Sequence, residues 1–268
     1  MPQARWGDDA AFFGPRHAFR ESLILRLLRP VPPALHLECA AGLGSLAQAL
    51  VSRGFRVVAA DASWRSLVVA RRLRGNVGHL VVADLRRLPF RSASFASATS
   101  AETLEHVVED DQALKELWRV LRPGGVLAGT VPHDPRQWSA WDDWAGHVRR
   151  YRKAELEEKL AAAGFAGKVQ DWGFPLVRLY DTLFLRRVNR RRLQLPGPGE
   201  ADPLLGRVSQ LARAGWLVRL VERVFALDRL FAGGGLGVGL LFFARKLPDP
   251  PRALGQVCHT PPTREVRA

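Results

Sequence analysis

The stretch Leu37-Glu38-Cys39-Ala40-Ala41-Gly42-Leu43-Gly44-Ser45-Leu46-Ala47 is followed, seventeen residues past Gly44, by Asp61 at the end of a second apolar run, RVVAAD (56–61). Residues 34–38 are short and apolar enough for a buried strand, and Gly42 and Gly44 permit a tight turn with close backbone approach. SLAQALVSRG (45–54) then reads as a helix stopped by Gly54. A strand, glycine turn, helix, strand and acid in this order predict an open α/β sheet with its ligand beyond the carboxyl ends of the strands. The acid on the second strand is then able to accept the two hydroxyls of a ribose.

The nucleoside is narrowed by the loop's chemistry. Gly42-x-Gly44-x-x-Ala47 matches the GxGxxA form of the dinucleotide fingerprint, in which helix amides hold a pyrophosphate. Glu38, six residues before Gly44, opposes that reading, because a carboxylate repels a pyrophosphate and suits a cation. The spacing Glu38-x-Ala40-x-Gly42-x-Gly44 resembles the acid-x-Gly-x-Gly-x-Gly signature of class I S-adenosylmethionine-dependent methyltransferases, with Ala40 replacing the first glycine. That replacement places a methyl group where backbone approach to a cofactor is closest.

The resemblance continues in order along the chain. SWRSLVVARRLRG (63–75) reads as a helix, HLVVAD (79–84) as a third strand and LRRLPFRSASF (85–95) as a loop. ASATSAETLEHV (96–107) is similar to the family's fourth strand and its E-x-L-E-H-V signature, with Ala96 where an aspartate is usual. DQALKELWRVLRPGG (111–125) predicts an amphipathic helix ending in a turn, VLAGTVP (126–132) a fifth strand, and GHVRRYRKAELEEKLAAAGF (146–165) the helix leading to a sixth. The likeness spans roughly residues 30–175. It implies a Rossmann-like, mostly parallel sheet of six or seven strands with helices on both faces. It also implies S-adenosyl-L-methionine held by Glu38, Ala40, Gly42, Gly44 and Asp61, with Asp84 and the adjoining Leu85 at the adenine.

The whole chain divides into an N-terminal helical segment (1–29), a methyltransferase-like domain (30–247) and a proline-rich tail (248–268) expected to be disordered. Phe12, Phe13 and Phe19 fit either a helix over the cofactor or ordinary core packing. The amino terminus lacks a basic region followed by a long apolar run, and Cys39 and Cys258 have no disulfide or metal spacing; both point to a reducing cytoplasm. The net charge is +14, but only five of the forty basic residues are lysine, and neither an RNA-recognition module nor a zinc knuckle accompanies them. Nucleic acid is therefore disfavoured as a partner.

Charge is concentrated between the sixth and last strands, where 172–247 holds thirteen basic and five acidic residues. A helical insertion at about 174–236 is predicted before the last strand, VGLLFFA (238–244). Its two amphipathic stretches, 176–193 and 204–231, are separated by PGPGEADP. They read as a cap on the sheet, or as an interfacial surface whose arginines face anionic headgroups and whose Phe184, Trp216, Phe225 and Phe231 face lipid. Either arrangement shapes a pocket for a small or lipophilic acceptor.

A sulfonium needs alignment more than activation, but an oxygen nucleophile gains from a base, and His106 at the end of the fourth strand is the candidate. The other reading is that His106 caps or packs the following helix. Glu102, Glu105 and His106 also fall at i, i+3 and i+4, one helical face, which His147 from a later loop could join to hold Mg²⁺ or Mn²⁺. His133 and His147 flank a tryptophan-rich loop (Trp138, Trp141, Trp144) read as a lid or substrate wall. The function expected is methyl transfer, on oxygen ahead of nitrogen or carbon. The competing classes are a nicotinamide-dependent oxidoreductase and a catalytically inactive adenosylmethionine-binding module.

Overall fold

The computed structural model describes residues 14–194 and 215–248. The expected features at Phe12 and Phe13, the PGPGEADP breaker, residues 204–214 and the tail beyond 248 lie outside them. Seven strands form one sheet in the order β3-β2-β1-β4-β5-β7-β6. They are β1 Leu35–Cys39, β2 Arg56–Asp61, β3 His79–Val82, β4 Phe95–Ala101, β5 Leu121–Pro132, β6 Phe165–Trp172 and β7 Gly239–Lys246. Only β7 runs antiparallel to its neighbours. The order reverses between β1 and β4, and the crevice for a ligand opens there.

Alternation along the strands assigns the two faces. Leu37, Cys39, Ala60 and Phe242 pack toward α4 (Asp110–Val120) and α6 (Lys153–Ala162), with Leu114, Leu117, Leu156 and Leu160 fully or nearly buried. Val57, Ala59, Val126 and Ala128 face the opposite layer, where α1 (Pro15–Leu27) and α2 (Ser45–Val51) supply Phe19, Leu23, Leu46 and Leu50. Phe19 stacks edge-on with Trp172 and Phe225, so it belongs to this core and not to a cofactor wall. α3 (Trp64–Arg74) starts at Ser63, whose hydroxyl accepts the Ser66 amide. One boundary differs from expectation: β5 begins at Leu121, because α4 stops at Val120 and the Arg122–Gly125 turn is absorbed as an irregularity in the β4–β5 ladder.

Beyond β6 the chain forms one helical run, α7 (Leu176–Tyr180), a π-helical turn (Asp181–Leu185) and α8 (Arg186–Gln194), and later α9 (Gly215–Phe225) with a 3₁₀ turn to Phe231. Buried Asp228 ties the two parts together by accepting the amides of Leu176 and Val177 at the start of α7. Asp171 on β6 does the same for Gly233 and Gly237.

Candidate active site

The glycine loop is held open by its own acid. Gly42 and Gly44 have φ of +52° and +72°, and the Gly42 amide donates to Asp61 Oδ2 at 2.8 Å while Oδ1 accepts from Ser63 N. A Cβ on Gly44 would sit 2.9 Å from Val77 Cγ1 and 3.0 Å from Ala70 Cβ, so this glycine is required by the packing of α3 beneath it. Ala40 takes the left-handed conformation (φ +52°) that the missing glycine would adopt freely, and it is exposed at the mouth of the loop. Asp84 lies just after β3 with its carboxylate accepting from the Arg86 amide and gripped by the Arg86 guanidinium, which holds it below the usual range. Leu85 packs against the core.

Glu38 is almost fully buried at the end of β1, and burial pushes its carboxyl up to about 8. The Thr99 hydroxyl donates to it. Thr99 in turn accepts from His36 Nε2 at 2.8 Å, which leaves Nδ1 to accept from Ser97. The dinucleotide reading was opposed on the charge of Glu38; a carboxyl raised this far carries that argument poorly at neutral pH. A different acid carries it. Glu21 on α1 bonds the Ser45 hydroxyl at the first turn of α2 and His17 Nε2 at 2.9 Å. Burial opposes its ionisation, but His17, Ser45 and Arg20 together hold it below the usual range. A pyrophosphate docking on α2 would meet this carboxylate. Glu21 was not anticipated; the only trace in the sequence is the i, i+4 spacing of His17 and Glu21.

The second cluster gathers at the carboxyl end of β4. Glu102 is not on a helix: it follows β4 with φ +52°, and only a single 3₁₀ turn, Leu104–His106, comes after it. The expected i, i+3, i+4 face therefore does not form. Glu102 turns to Arg20, 3.5 Å away, and although burial opposes its charge, Arg20 and Arg16 hold it below the usual range. Glu105, His106 and His147 do converge, each offering one ligand atom within 4.8 Å of the others. Neither oxygen of fully buried Glu105 has a hydrogen-bond partner among the described residues, and burial with the nearby Glu102 pushes its carboxyl well up.

The two imidazoles are oriented from behind. His106 Nδ1 lies 3.3 Å from the Gly146 carbonyl, which can only accept, so Nδ1 carries the proton and Nε2 is the basic nitrogen. Burial and the neighbouring His147 keep this ring below the ordinary histidine range. His147 Nδ1 is 2.8 Å from Asp142 Oδ1, and the two histidine rings meet edge to face at 4.8 Å. Asp142 also receives the fork of Arg150 at 2.8 and 2.9 Å and caps α5 (Ala140–Ala145) through Ser139. His147 is thus part of an Asp–His pair rather than only a flank of the tryptophan loop. His133 differs: it is buried against the Gly237 carbonyl, away from the cluster. Asp142 and Arg150 escaped the sequence reading; the only local mark is the Ser139-x-x-Asp142 capping-box spacing, which signals a helix start and not a site.

Residues 37–129 match a family model described as a methyltransferase domain. The chain carries the methyltransferase domain of the class I S-adenosylmethionine-dependent family. The chain is 44% identical over 104 residues to a demethylmenaquinone methyltransferase of Clavibacter sepedonicus, covering 38% of this chain and 42% of that one. A malonyl-[acyl-carrier protein] O-methyltransferase of Pseudescherichia vulneris is 34% identical over 163 residues, 59% of this chain and 62% of that one. The chain thus spans about half the length of the curated relatives it matches. In fold it resembles a Haemonchus contortus phosphoethanolamine N-methyltransferase 2 solved in complex with S-adenosyl-L-methionine, with TM-score 0.60, 20% identity and coverage of 91% of this chain and 55% of that one.

The residues present fit S-adenosylmethionine. The chain offers a carboxylate, Asp61, that a ribose could use, a left-handed loop at Ala40 and Gly42 that allows close approach, and two acids, buried Glu38 and half-buried Glu21, that a cationic amino-acid end could engage.

Proposed function

We propose that the whole chain transfers a methyl group from S-adenosylmethionine to an oxygen of a small or lipophilic acceptor. The observation that carries this reading is the pair His106 and His147, each with Nδ1 tied back and Nε2 basic, at the carboxyl end of β4 beside the glycine loop. One of them takes the acceptor's proton as the oxygen attacks the methyl carbon, while Asp142 steadies the charge on His147. The cofactor supplies an activated methyl; the chain supplies alignment, a dry wall and the base.

Titration calorimetry tests the cofactor. S-Adenosylhomocysteine is expected to bind and nicotinamide dinucleotides are not. Because the Glu38 carboxyl titrates at about 8, a cationic ligand amino group drives a proton off it. Affinity should therefore rise as pH climbs toward 8, with proton release seen as a dependence of the heat on buffer ionisation enthalpy. A dinucleotide that binds while the homocysteine analogue does not overturns the reading.

A second reading rests on the orphaned Glu105 carboxyl. Glu105, His106 and His147 would hold a divalent ion such as Mn²⁺ or Mg²⁺, with Asp142 and the Gly146 carbonyl as the outer partners that orient metal-bound imidazoles. Such an ion would polarise the acceptor oxygen. If the histidines act as bases, His106→Ala should lower turnover by about 10²-fold or more with unchanged cofactor affinity, and a chelator should do nothing. Loss of activity in chelator, restored by Mn²⁺, selects the metal instead.

A lipophilic acceptor is supported by the outer surface of the insertion. Trp216, Leu220, Leu227, Leu230 and Phe231 are exposed along α9 and the turn after it, among Arg219, Arg223 and Arg229. Phe225, expected on this face, is buried against Phe19 and Tyr180, and Phe184 stacks on Tyr180. Among the described residues no helix is long and apolar enough to cross a membrane. The purified chain should float with anionic vesicles at low salt and detach as salt rises; indifference to lipid would remove membrane contact from the proposal.

A further inference from the structure

A cavity of 240 Å³ opens between α1, the connection from β5 to α6 and the helical run after β6, and five arginines line it: Arg16, Arg150, Arg178, Arg186 and Arg190. We infer that this cavity binds a phosphate group carried by the acceptor, an assignment that rests on the methyltransferase reading above. The cavity joins the transfer site through two of its own walls. Arg150 forks onto Asp142, which holds His147, and Arg16 faces both Asp181 in the cavity and Glu102 at the end of β4.

The arginines are placed there by the backbone. The π-helical turn Asp181–Leu185 shifts the helix by one position, so that Asp181, Thr182, Leu185, Arg186, Asn189 and Arg190 all fall on the cavity side. Arg187, one residue on, bends back to the Leu183 carbonyl outside it. Arg186 and Arg190 stay exposed at the rim, where their guanidiniums can reach a ligand entering the cavity. Asp181 is the one carboxylate in the lining, 3.4 Å from Arg16, and burial pushes its carboxyl up. Asp142 and Glu102 stand behind the wall. Arg178 gives one nitrogen to the Leu236 carbonyl, whereas no side-chain hydrogen bond among the described residues engages Arg186 or Arg190.

Arg150 is neutralised by Asp142 and Arg16 by Asp181, which leaves Arg178, Arg186 and Arg190 with no carboxylate in ion-pair contact among the described residues, three like charges around one cavity. A phosphate monoester offsets them: it brings up to two charges and three acceptor oxygens that match guanidinium forks. A neutral acceptor would leave the repulsion in place. Trp141, Leu185 and Val238 in the same lining give the adjoining part of the acceptor an apolar surface.

The test is calorimetry on the full chain with octyl phosphate below its micellar concentration, octyl glucoside and inorganic phosphate, in wild type and in an Arg186→Gln/Arg190→Gln variant. S-Adenosylhomocysteine binding is read in every sample as a check on folding and on the cofactor site. Octyl phosphate should bind wild type at least tenfold tighter than octyl glucoside, and the variant should lose at least tenfold for octyl phosphate while keeping the homocysteine analogue. Inorganic phosphate binding at least tenfold below octyl phosphate supports a lipid phosphate, and equal binding supports a soluble phosphate ester. Equal affinity for the glucoside, an unaffected variant, or no binding of octyl phosphate overturns the assignment. Octyl phosphate binding without the homocysteine analogue would leave the cavity standing and remove the methyltransferase reading.

Discussion

An Asp142→Ala variant is expected to lose about 3–5 kcal/mol of unfolding free energy in urea titration, the cost of removing one member of a buried charge pair. Asp142 is fully buried and serves Arg150, His147 and the Ser139 cap together, so its loss leaves a guanidinium and an imidazole facing a hole. Burial works against its charge, but His147 and Arg150 hold its carboxyl far below the usual range. The stability it contributes is therefore present above the ordinary aspartate range and is lost as pH falls toward the depressed value. Wild type and variant should consequently converge in stability in acid. A variant as stable as wild type at pH 7 would show that Arg150 and His147 find other partners.

The second large effect is on the cofactor. Asp61→Ala should weaken S-adenosylhomocysteine binding by roughly 1.5–3 kcal/mol, the range for hydrogen bonds to a charged acceptor, or about ten- to a hundredfold or more in Kd. Asp61 also anchors the Gly42 amide, so the variant frees the loop that approaches the ligand. Asp61→Asn keeps an acceptor for that amide and should retain more affinity than Ala. Equal, undiminished binding in both variants would place the ribose elsewhere.

The glycine loop and the sheet were legible because their signals are local. A strand, a turn that needs φ > 0 and a capped helix each leave a mark within ten residues, and Ala40 shows how strongly the fold holds that turn, since an alanine adopts the glycine conformation. The cluster at the end of β4 was half legible. Glu105, His106 and His147 do meet, but the helical face drawn through Glu102 fails, because Glu102 is spent on the turn out of β4 and on Arg20. Glu21 and Asp142 could not be read at all. Glu21 reaches Ser45 only through the packing of α1, and Asp142, though its partners lie within eight residues, sits at a helix cap that looks the same in sequence whether it faces water or a site. The insertion's helical pattern was readable, but not which of its aromatics faces inward: Phe225 and Trp216 lie nine residues apart in one amphipathic stretch, and the docking of α1 decides that only the first is buried.

Because β7 alone is reversed, the chain leaves β6 and enters β7 at the same edge of the sheet, and Trp172 and Gly239 sit opposite each other as the last pair of the ladder. The segment between them, 173–238, therefore starts and ends at one ladder pair. Lengthening such a segment costs little, since closure entropy grows only logarithmically and its ends stay where the ladder puts them. The segment is in this sense a cassette: its length can change between Trp172 and Gly239 without displacing the half of the sheet that carries the glycine loop.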